Sequence, residues 1–479
     1  MRRWLVFLAV FVAAAAVLVL EIVAGRIMAP YVGVSLQTFT GIIGTVLAAI
    51  ALGAWAGGRL ADRHDPDTLL GPALMVGGVL AVVSPALVNL LGPSVGSEGP
   101  LAIVALAFVG FFMPAAVLST VTPIAAKLSL TTLDATGSVV GQLSAVGTVG
   151  ALFGTFITGF VLIASMPSLP ITWVVGGVLV ALGAILSSSF GKASVVPVVV
   201  LLVASVGASA AVGAPCDHET AYSCAIVTTP SGDPSIRLLI LDTFVNSVVD
   251  VEDPTFIGPR YAFAVDAVVQ AQSTDKAEDF LYIGGGGFAL PRFYAATQGA
   301  SATVLELDSA VPPIAVEELG LDPGQWLTTI TGDARTGIRE ASGPFDVVVG
   351  DAFSGRSVPW HLTTKEYVAD IKDRLNSGGV YVINVIDYPP ASFARAELAT
   401  LAEVFDHVAV VAPDAYLAGE RGGNIILAGS DAPFDPEAIV AGVTHDEAVI
   451  VDKEALKWAD DAIVLTDSFA PTDQLLTRP

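Results

Sequence analysis

Hydrophobic and polar positions divide this chain into two unlike halves. The first half consists of long uncharged apolar blocks at 4–20, 27–58, 68–97, 99–126, 135–191 and 193–216. A bilayer core requires about 20 apolar helical residues, and the fifth block has room for two such spans with a break at 166–170. The pattern therefore predicts an all-α membrane domain of about seven transmembrane helices over residues 1–214.

The second half shows shorter apolar runs with the spacing of strands and helices. Strand-like segments lie at 225–228, 236–242 and 245–250, and a turn at 230–234 connects the first two. This pattern predicts a β-hairpin subdomain over 215–262. Beyond it, apolar runs at 280–283, 302–307, 345–350, 379–386 and 424–428 alternate with helical stretches near 289–298, 363–375 and 392–404. This alternation predicts a Rossmann-like α/β domain over 263–479, with a doubly wound and mostly parallel sheet.

Composition and charge separate the two halves further and exclude several classes of protein. The chain is 53% hydrophobic and only 14% charged, with a mean hydropathy of +0.71, so part of it is expected to lie in lipid. Residues 1–214 hold 7 Lys or Arg and 6 Asp or Glu, whereas residues 215–479 hold 15 and 40. A net charge of −24 excludes nucleic acid as a partner, because no basic surface is available to neutralise phosphates.

The distribution of basic residues predicts an orientation in the membrane. With the N-terminus inside and seven spans, the outside loops collect only Arg26, and the inside loops collect Arg2, Arg3, Arg59, Arg63, Lys127 and Lys192. The positive-inside rule then places the second half outside the cytoplasm. A signal peptide is the alternative interpretation of the first block, although no clear cleavage site precedes Glu21.

The chain contains two cysteines, Cys216 and Cys224, both at the start of the acidic half. An oxidising compartment permits them to pair and to close a short loop. Two free thiols, or metal binding together with His218, are the alternatives. Two cysteines are too few for a disulfide scaffold or for a site of four thiolates.

A strand followed by four glycines is the most informative motif in the sequence. The apolar run at 280–283 leads into Gly284, Gly285, Gly286 and Gly287, and a helical stretch follows. Glycines allow backbone N–H groups to approach a ligand at a helix N-terminus. Glu306 ends the next strand and is placed to accept hydrogen bonds from ribose hydroxyls. The combination predicts a site for a nucleoside cofactor, without distinguishing a dinucleotide from S-adenosylmethionine.

Two later segments carry acidic residues at or near strand ends. Asp333 and Ala334 follow the third strand region, where Asp333 can accept from an adenine amino group. Asp351 lies at the carboxyl end of the fourth strand, where ligands bind in such sheets. These positions add an adenine contact and a candidate catalytic carboxylate to the predicted nucleoside site.

Three further residues near these motifs have less specific interpretations. Tyr261 and Tyr388 are candidate aromatic walls for an alkylamine, and core packing is an equal alternative for both. Arg292, near the glycine turn, is expected on a solvated helix face, with a contact to the carboxylate of intact S-adenosylmethionine as the alternative.

These motifs resemble those of spermidine synthases, the polyamine aminopropyltransferases. The resemblance covers roughly residues 222–430 and rests on 283–287, Glu306, 332–334, Asp351 and 362–380. It implies an S-adenosylmethionine-dependent methyltransferase-type fold, decarboxylated S-adenosylmethionine (or S-adenosylmethionine) as co-substrate, and Asp351 as the base. The whole chain is similar to membrane proteins in which such a domain follows several spans, with matching segments at 21–30, 57–63, 216–224 and 465–471.

The sequence departs from the soluble members of that family at two positions. Gly287 stands where they carry an Asp that holds the donor's amine, and Ser354 stands where a second Asp anchors the polyamine. The expected activity is membrane-bound transfer of an aminopropyl group to a polyamine acceptor. The alternatives are an S-adenosylmethionine-dependent methyltransferase and a noncatalytic nucleoside- or polyamine-binding sensor coupled to the membrane bundle.

The resemblance and the composition also define the expected partners. Membrane lipid and a small amine substrate are expected, with no metal and no nucleic acid. A homodimer is a candidate assembly.

Overall fold

The computed structural model describes residues 3–95, 99–130, 136–189, 196–272, 277–353, 358–444 and 446–477. The chain forms two compact units. The first comprises Met1–Ile226 with Leu241–Thr243, and the second comprises Val227–Ile240 with Phe244–Pro479.

The first unit is a bundle of apolar helices. Among the described residues, six helices are long and apolar enough to cross a membrane: Trp4–Val32, Leu36–Arg63, Pro66–Ser94, Pro100–Ser129, Thr136–Ser165 and Ser168–Ser188. The seventh predicted span corresponds to a shorter apolar helix of 17 residues, Val196–Val212. The fifth block is divided at 166–167, where one long helix ends at Ser165 and the next begins at Ser168.

Small residues set the separation of these helices. A Cβ atom added at Gly78 would lie 2.7 Å from the carbonyl oxygen of Gly176, and one added at Gly183 would lie 2.6 Å from that of Gly71. Side chains at these glycines would push the helices apart. Close backbone approach through small residues is the usual way in which apolar helices pack in lipid, where the hydrophobic effect does not hold them together.

A disulfide-closed segment completes the first unit. Cys216 and Cys224 are bonded, with their Cα atoms 5.2 Å apart. The short strands β1 (His218–Glu219) and β2 (Cys224–Thr228) pair antiparallel around the loop. Glu219 forms an ion pair of 3.4 Å with Arg26 of the first helix and accepts from the amide of Ser168 at 3.0 Å. Because both side chains of the ion pair are largely buried, the contact fixes this segment against the bundle.

The second unit contains a hairpin followed by an eight-stranded sheet. The hairpin consists of β3 (Ile236–Leu241) and β4 (Phe244–Asp250). The strands of the large sheet are β5 (Asp279–Ile283), β6 (Ser301–Glu306), β7 (Leu327–Thr331), β8 (Phe345–Gly350), β9 (Leu375–Asp387), β10 (His407–Pro413), β11 (Gly423–Ser430) and β12 (Glu447–Val451).

Helices alternate with these strands as the sequence predicts. Their bounds are Arg260–Gln272, Ala289–Gln298, Val311–Glu318, Ala334–Gly337, Lys365–Lys372, Ser392–Ala402, Asp414–Leu417, Pro436–Gly442, Asp452–Trp458 and Thr472–Leu475. The helix Arg260–Gln272 contacts β9 and β11, and Ser392–Ala402 contacts β9, β10 and β11. Five of the six residues of the central strand β8 are buried. Burial on both faces explains the continuous apolar sequence of such a strand.

The order of strands in the large sheet places its switch point. The order is β12-β10-β11-β9-β8-β5-β6-β7, and the pairs from β9 to β7 are parallel. Antiparallel pairs join β9, β11, β10 and β12, so the sheet is mixed at one side. The chain proceeds from β5 outward to β7 and then returns to the other side of β5 as β8. Ligands bind at the carboxyl ends of strands at such a reversal, which here is formed by β5 and β8.

Candidate active site

The glycine turn follows β5 at the switch point. Gly284 has a φ of +98° and Gly286 a φ of +48°, conformations that glycine adopts at little cost. A Cβ atom at Gly284 would lie 2.5 Å from the carbonyl oxygen of Asp351. The amide of Gly284 donates to the carbonyl of Leu305 at 2.9 Å. The turn thus passes directly against the backbone that follows β8, and a larger residue at Gly284 would not fit.

Glu306 supports this turn from the end of the neighbouring strand β6. Its carboxylate oxygens accept from the amide of Gly285 at 2.8 Å and from the amide of Asp308 at 2.9 Å. The side chain is 8% exposed, and burial raises the pKa of Glu306, although the backbone donors oppose this rise. In this structure Glu306 therefore holds the glycine turn in place, next to the position where a ribose is expected.

Asp351 lies immediately after β8 and is held by two neutral donors. The Tyr261 hydroxyl donates to Oδ2 at 2.8 Å, and the Asn384 amide donates to Oδ1 at 2.9 Å. Asn384 in turn accepts from Nδ2 of Asn424 at 2.9 Å. Burial raises the pKa of Asp351, while the bonds from Asn384 and Tyr261 act in the opposite direction. No positive charge contacts the carboxylate in the part of the chain that the structure describes, so it is suited to accept a proton or to pair with a cation.

Tyr261 serves this arrangement as a hydrogen-bond donor. It lies in the first turn of the helix Arg260–Gln272. Burial and the nearby Asp351 carboxylate hold the pKa of Tyr261 well above its usual value. The phenol therefore stays protonated at neutral pH and keeps its hydrogen bond to Asp351.

These groups surround a cavity of about 270 Å³. Its polar lining comes from the glycine turn at 284–286 and from the side chains of Asn246, Ser247, Tyr261, Asp351, Asn384 and Asn424. Tyr282 also belongs to the lining, and the other lining side chains are apolar and include Phe244, Ile257, Leu290 and Phe353. A concave site with apolar walls and a few convergent polar groups is typical of binding sites for small molecules.

The hairpin occupies the space above the last glycines of the turn. The amide of Gly287 donates to the Ser247 hydroxyl at 2.8 Å, and Ser247 donates to the Asn246 side chain at 2.8 Å. A Cβ atom at Gly287 would lie 2.7 Å from Cβ of Ser247. The uncharged side chains of Asn246 and Ser247, both in β4, therefore lie next to Gly287, and Ser247 occupies the space that a side chain at this position would need.

Asp333 and Ala334 lie apart from the cavity lining. Asp333 caps the helix Ala334–Gly337, with Oδ1 accepting from the amide of Arg335 at 2.7 Å. Its other oxygen lies 2.9 Å from Nε2 of His361, and Ala334 is buried at 8% exposure. The structure therefore gives Asp333 a role in local structure, and its predicted contact with adenine remains a prediction.

The other predicted substrate residues have different positions. Tyr261 lines the cavity, whereas Tyr388 follows the end of β9 and does not belong to the lining. Ser354 lies outside the described residues. Within the described ranges, no group of three His, Cys, Asp or Glu side chains is arranged to hold a metal ion.

Several residues of the site have no counterpart in the sequence predictions. Asn384 and Asn424 read as isolated polar positions in apolar strands, and Ser247 reads as an ordinary hairpin residue. A buried polar side chain inside a run such as 380–386 was the available signal, because such groups require partners. The expectation for Arg292 is wrong: it is 5% exposed and donates to the carbonyls of Leu319 and Asp250 at 2.8 Å each.

Comparisons with known proteins show that part of this chain is similar in sequence to one group of enzymes. No family model matches the chain. The chain is 29% identical to the polyamine aminopropyltransferase of Vibrio vulnificus (strain CMCP6) over 217 residues, which cover 42% of this chain and 70% of that protein. It is 27% identical to the probable polyamine aminopropyl transferase of Bifidobacterium longum (strain NCC 2705) over 161 residues, 33% of this chain and only 35% of that protein.

One solved structure that is similar to this chain is described as that of a probable spermidine synthase. The crystal structure of a probable spermidine synthase from Corynebacterium glutamicum ATCC 13032 shows 26% sequence identity and a TM-score of 0.49, covering 55% of this chain and 98% of that one. Over part of its length the chain is similar to polyamine aminopropyltransferases, and in its described residues six long apolar helices precede an α/β domain of Rossmann-like topology.

Proposed function

We propose that this protein is a membrane-bound aminopropyltransferase, which transfers the aminopropyl group of decarboxylated S-adenosylmethionine to a small amine. The catalytic part is residues 263–479 together with Tyr261, and strand β4 of the hairpin covers the glycine turn. The observation that carries the proposal is the position of Asp351. Its carboxylate lies at the switch point beside the glycine turn, hydrogen-bonded to Tyr261 and Asn384 and directed into the cavity.

The chemistry requires a base and an aligned pair of substrates. A protonated amine has no free electron pair, so Asp351 accepts its proton before or during attack. The amine nitrogen then bonds to the carbon beside the sulfonium, and the carbon–sulfur bond breaks. Its electron pair stays on sulfur, which becomes a neutral thioether in methylthioadenosine. Tyr261 and Asn384 orient the Asp351 carboxylate, and the glycine turn positions the nucleoside so that attack is in line.

A donor assay tests the proposal directly. Purified full-length protein is offered decarboxylated or intact S-adenosylmethionine together with several small amines. We expect methylthioadenosine to be released from the decarboxylated donor, with the amine gaining an aminopropyl group. Formation of S-adenosylhomocysteine alone would contradict aminopropyl transfer. Tight nucleoside binding without turnover, unaffected by Asp351→Asn, would favour the noncatalytic sensor.

Methyl transfer is the second candidate, because a specific feature of the turn favours it. Decarboxylated S-adenosylmethionine has a cationic amine at the end of its chain, whereas the corresponding chain of intact S-adenosylmethionine carries both an amine and a carboxylate. Near Gly287 the described structure offers only the uncharged groups of Asn246 and Ser247. In intact S-adenosylmethionine the carboxylate partly compensates the ammonium beside it, whereas the lone ammonium of the decarboxylated donor would be buried there without an ionic partner.

The hydrogen bond from Tyr261 predicts a change in the pH dependence of activity. Because this bond lowers the pKa of Asp351, Tyr261→Phe is expected to raise that pKa. Asp351 must be ionised to accept a proton, so the acidic limb of the kcat/KM profile should move to higher pH. The profile is measured beside Tyr222→Phe, a substitution at an exposed tyrosine. An unchanged acidic limb in Tyr261→Phe would contradict the role of Asp351 as the base.

We also propose that Val196–Val212 forms a seventh span and that the second unit therefore lies outside the cytoplasm, as the count of basic residues in the loops favours. The disulfide between Cys216 and Cys224 supports this side, because disulfides persist in oxidising compartments. In intact cells an impermeant maleimide should label these thiols only after reduction. A C-terminal reporter that is active only in the cytoplasm should be silent. Cytoplasmic reporter activity would reverse the assignment.

A further inference from the structure

The charge of the cavity lining restricts which amine it can accept. Among the described lining residues, Asp351 carries the only charged side chain. The other polar groups are the glycine backbone and the uncharged side chains of Asn246, Ser247, Tyr261, Tyr282, Asn384 and Asn424. Among the described lining residues, a single carboxylate must therefore serve all the cations that enter the cavity.

Proton acceptance uses that carboxylate for the attacking nitrogen. The sulfonium of either donor already brings one positive charge into the cavity. A diamine acceptor would add a second ammonium at its far end, with only amide and hydroxyl oxygens to receive it. An uncharged oxygen of an amide or hydroxyl group binds an ammonium less strongly than a carboxylate oxygen does. A buried ammonium without an ionic partner is therefore costly. The net acidity of residues 215–479 attracts cations from a distance but supplies no such contact inside the cavity.

The remaining walls suit a hydrocarbon chain instead. They are formed by Phe244, Val245, Ile257, Leu290, Phe353 and Ile386. Ile257 and Leu290 are each 6% exposed, so their side chains face the interior of the unit. An alkyl group placed against such walls gains free energy by leaving water.

We propose that the acceptor of this site is a monoamine with an apolar remainder, and that linear diamines are poor acceptors. This inference rests on the proposed transfer to an amine but holds for either donor, because both carry the sulfonium. The attacking nitrogen binds at Asp351, and the chain of the acceptor extends along the apolar walls.

Two amines of equal size test the inference. n-Pentylamine and butane-1,4-diamine have the same number of non-hydrogen atoms and differ in the second nitrogen. With full-length protein in detergent and the active donor, we expect kcat/KM for n-pentylamine to exceed that for the diamine by about tenfold or more. Equal values, or a preference for the diamine, would overturn the inference even though the proposed transfer itself had been demonstrated.

A binding measurement keeps the inference testable without turnover. Both amines are titrated calorimetrically into full-length protein saturated with methylthioadenosine. Tighter binding of n-pentylamine that is lost in Asp351→Asn supports the inference even if neither donor is turned over, in which case only the proposed function fails. Failure of n-pentylamine to bind, or tighter binding of the diamine, overturns it.

A charged variant tests the physical cause. Asn246→Asp adds a carboxylate to the lining with little change of shape, and it retains the oxygen that accepts from Ser247. It should shift the ratio of the two affinities toward the diamine, whereas the uncharged variant Asn246→Ser should not. No shift in Asn246→Asp, measured in folded protein, would show that charge does not set the preference.

Discussion

Asp351→Asn is expected to lower kcat for transfer by about 10²–10⁴-fold, the usual contribution of a positioned general base. The asparagine keeps the size of the side chain and one oxygen that can accept from Asn384. The Tyr261 hydroxyl can rotate to accept from the new amide, so the hydrogen-bonded arrangement can be retained. Steady-state rates with the active donor measure the loss, and the affinity for methylthioadenosine should change little.

The same substitution should leave the protein as stable as before, or more so, at neutral pH. The pKa of Asp351 is raised in the folded state by burial, so ionisation of this group favours the unfolded chain. Its contribution to stability is present at low pH and is lost as pH rises through the raised pKa. Asn does not ionise and avoids that cost. A thermal midpoint for Asp351→Asn well below that of the wild type would show that the loss of activity is caused by misfolding.

An exposed carboxylate supplies the control. Asp322→Asn removes one negative charge from the same unit at an exposed position away from the cavity lining. It should leave kcat unchanged. If both variants lost activity to the same extent, the effect would come from the net charge of the unit, and Asp351 would have no special role.

The sequence predicts those parts of the site that depend on neighbouring residues. The glycine turn after β5 and the acid after β8 were identifiable because each follows an apolar run directly, and strands of a parallel sheet present their carboxyl ends at one edge. Glu306 was identifiable for the same reason, at the end of β6. Once the sheet was predicted, these positions had to converge.

The partners of Asp351 could not be predicted in this way, because they depend on strand register. Asn384 lies opposite Ile426, and Asn424 lies opposite Ile386, in the antiparallel pair of β9 and β11. The two asparagines are therefore diagonal neighbours on one face of the sheet, although 40 positions separate them in the sequence. A shift of one residue in the register would send one side chain to the other face. Only the folded structure shows that they meet.

Long-range packing also explains the wrong expectation for Arg292 and one contact of Asp333 that the sequence did not indicate. Asp333 caps the helix that follows it. It also contacts His361, which lies far along the sequence and which local spacing does not reveal. Arg292 reaches backbone carbonyls of Asp250 and Leu319, so it is buried despite its charge. Arg292 was expected in solvent, and protein carbonyls bind its guanidinium group instead.

Gly284→Ala is expected to impair both the folding and the activity of the second unit. The residue has a φ of +98°, which costs an L-residue about 1–2 kcal/mol. In addition, the new Cβ atom would lie 2.5 Å from the carbonyl oxygen of Asp351, so the turn and the catalytic strand end must move apart. A displacement of about 1 Å at a catalytic group can lower the rate by about 10²-fold, and we expect a loss of that order in kcat.

Gly299→Ala separates the two causes. Gly299 also has a positive φ, +74°, at the end of the helix Ala289–Gln298, but a Cβ atom there would meet nothing within 4 Å. It should lower the thermal midpoint by roughly 2–8 °C through backbone strain alone, for a cost of about 1–2 kcal/mol in a unit of this size, and leave kcat unchanged. Gly284→Ala should lower the midpoint further and lose activity. If the two variants behaved alike, the close approach of the turn to Asp351 would have no part in catalysis, because strain at a left-handed residue would account for both effects.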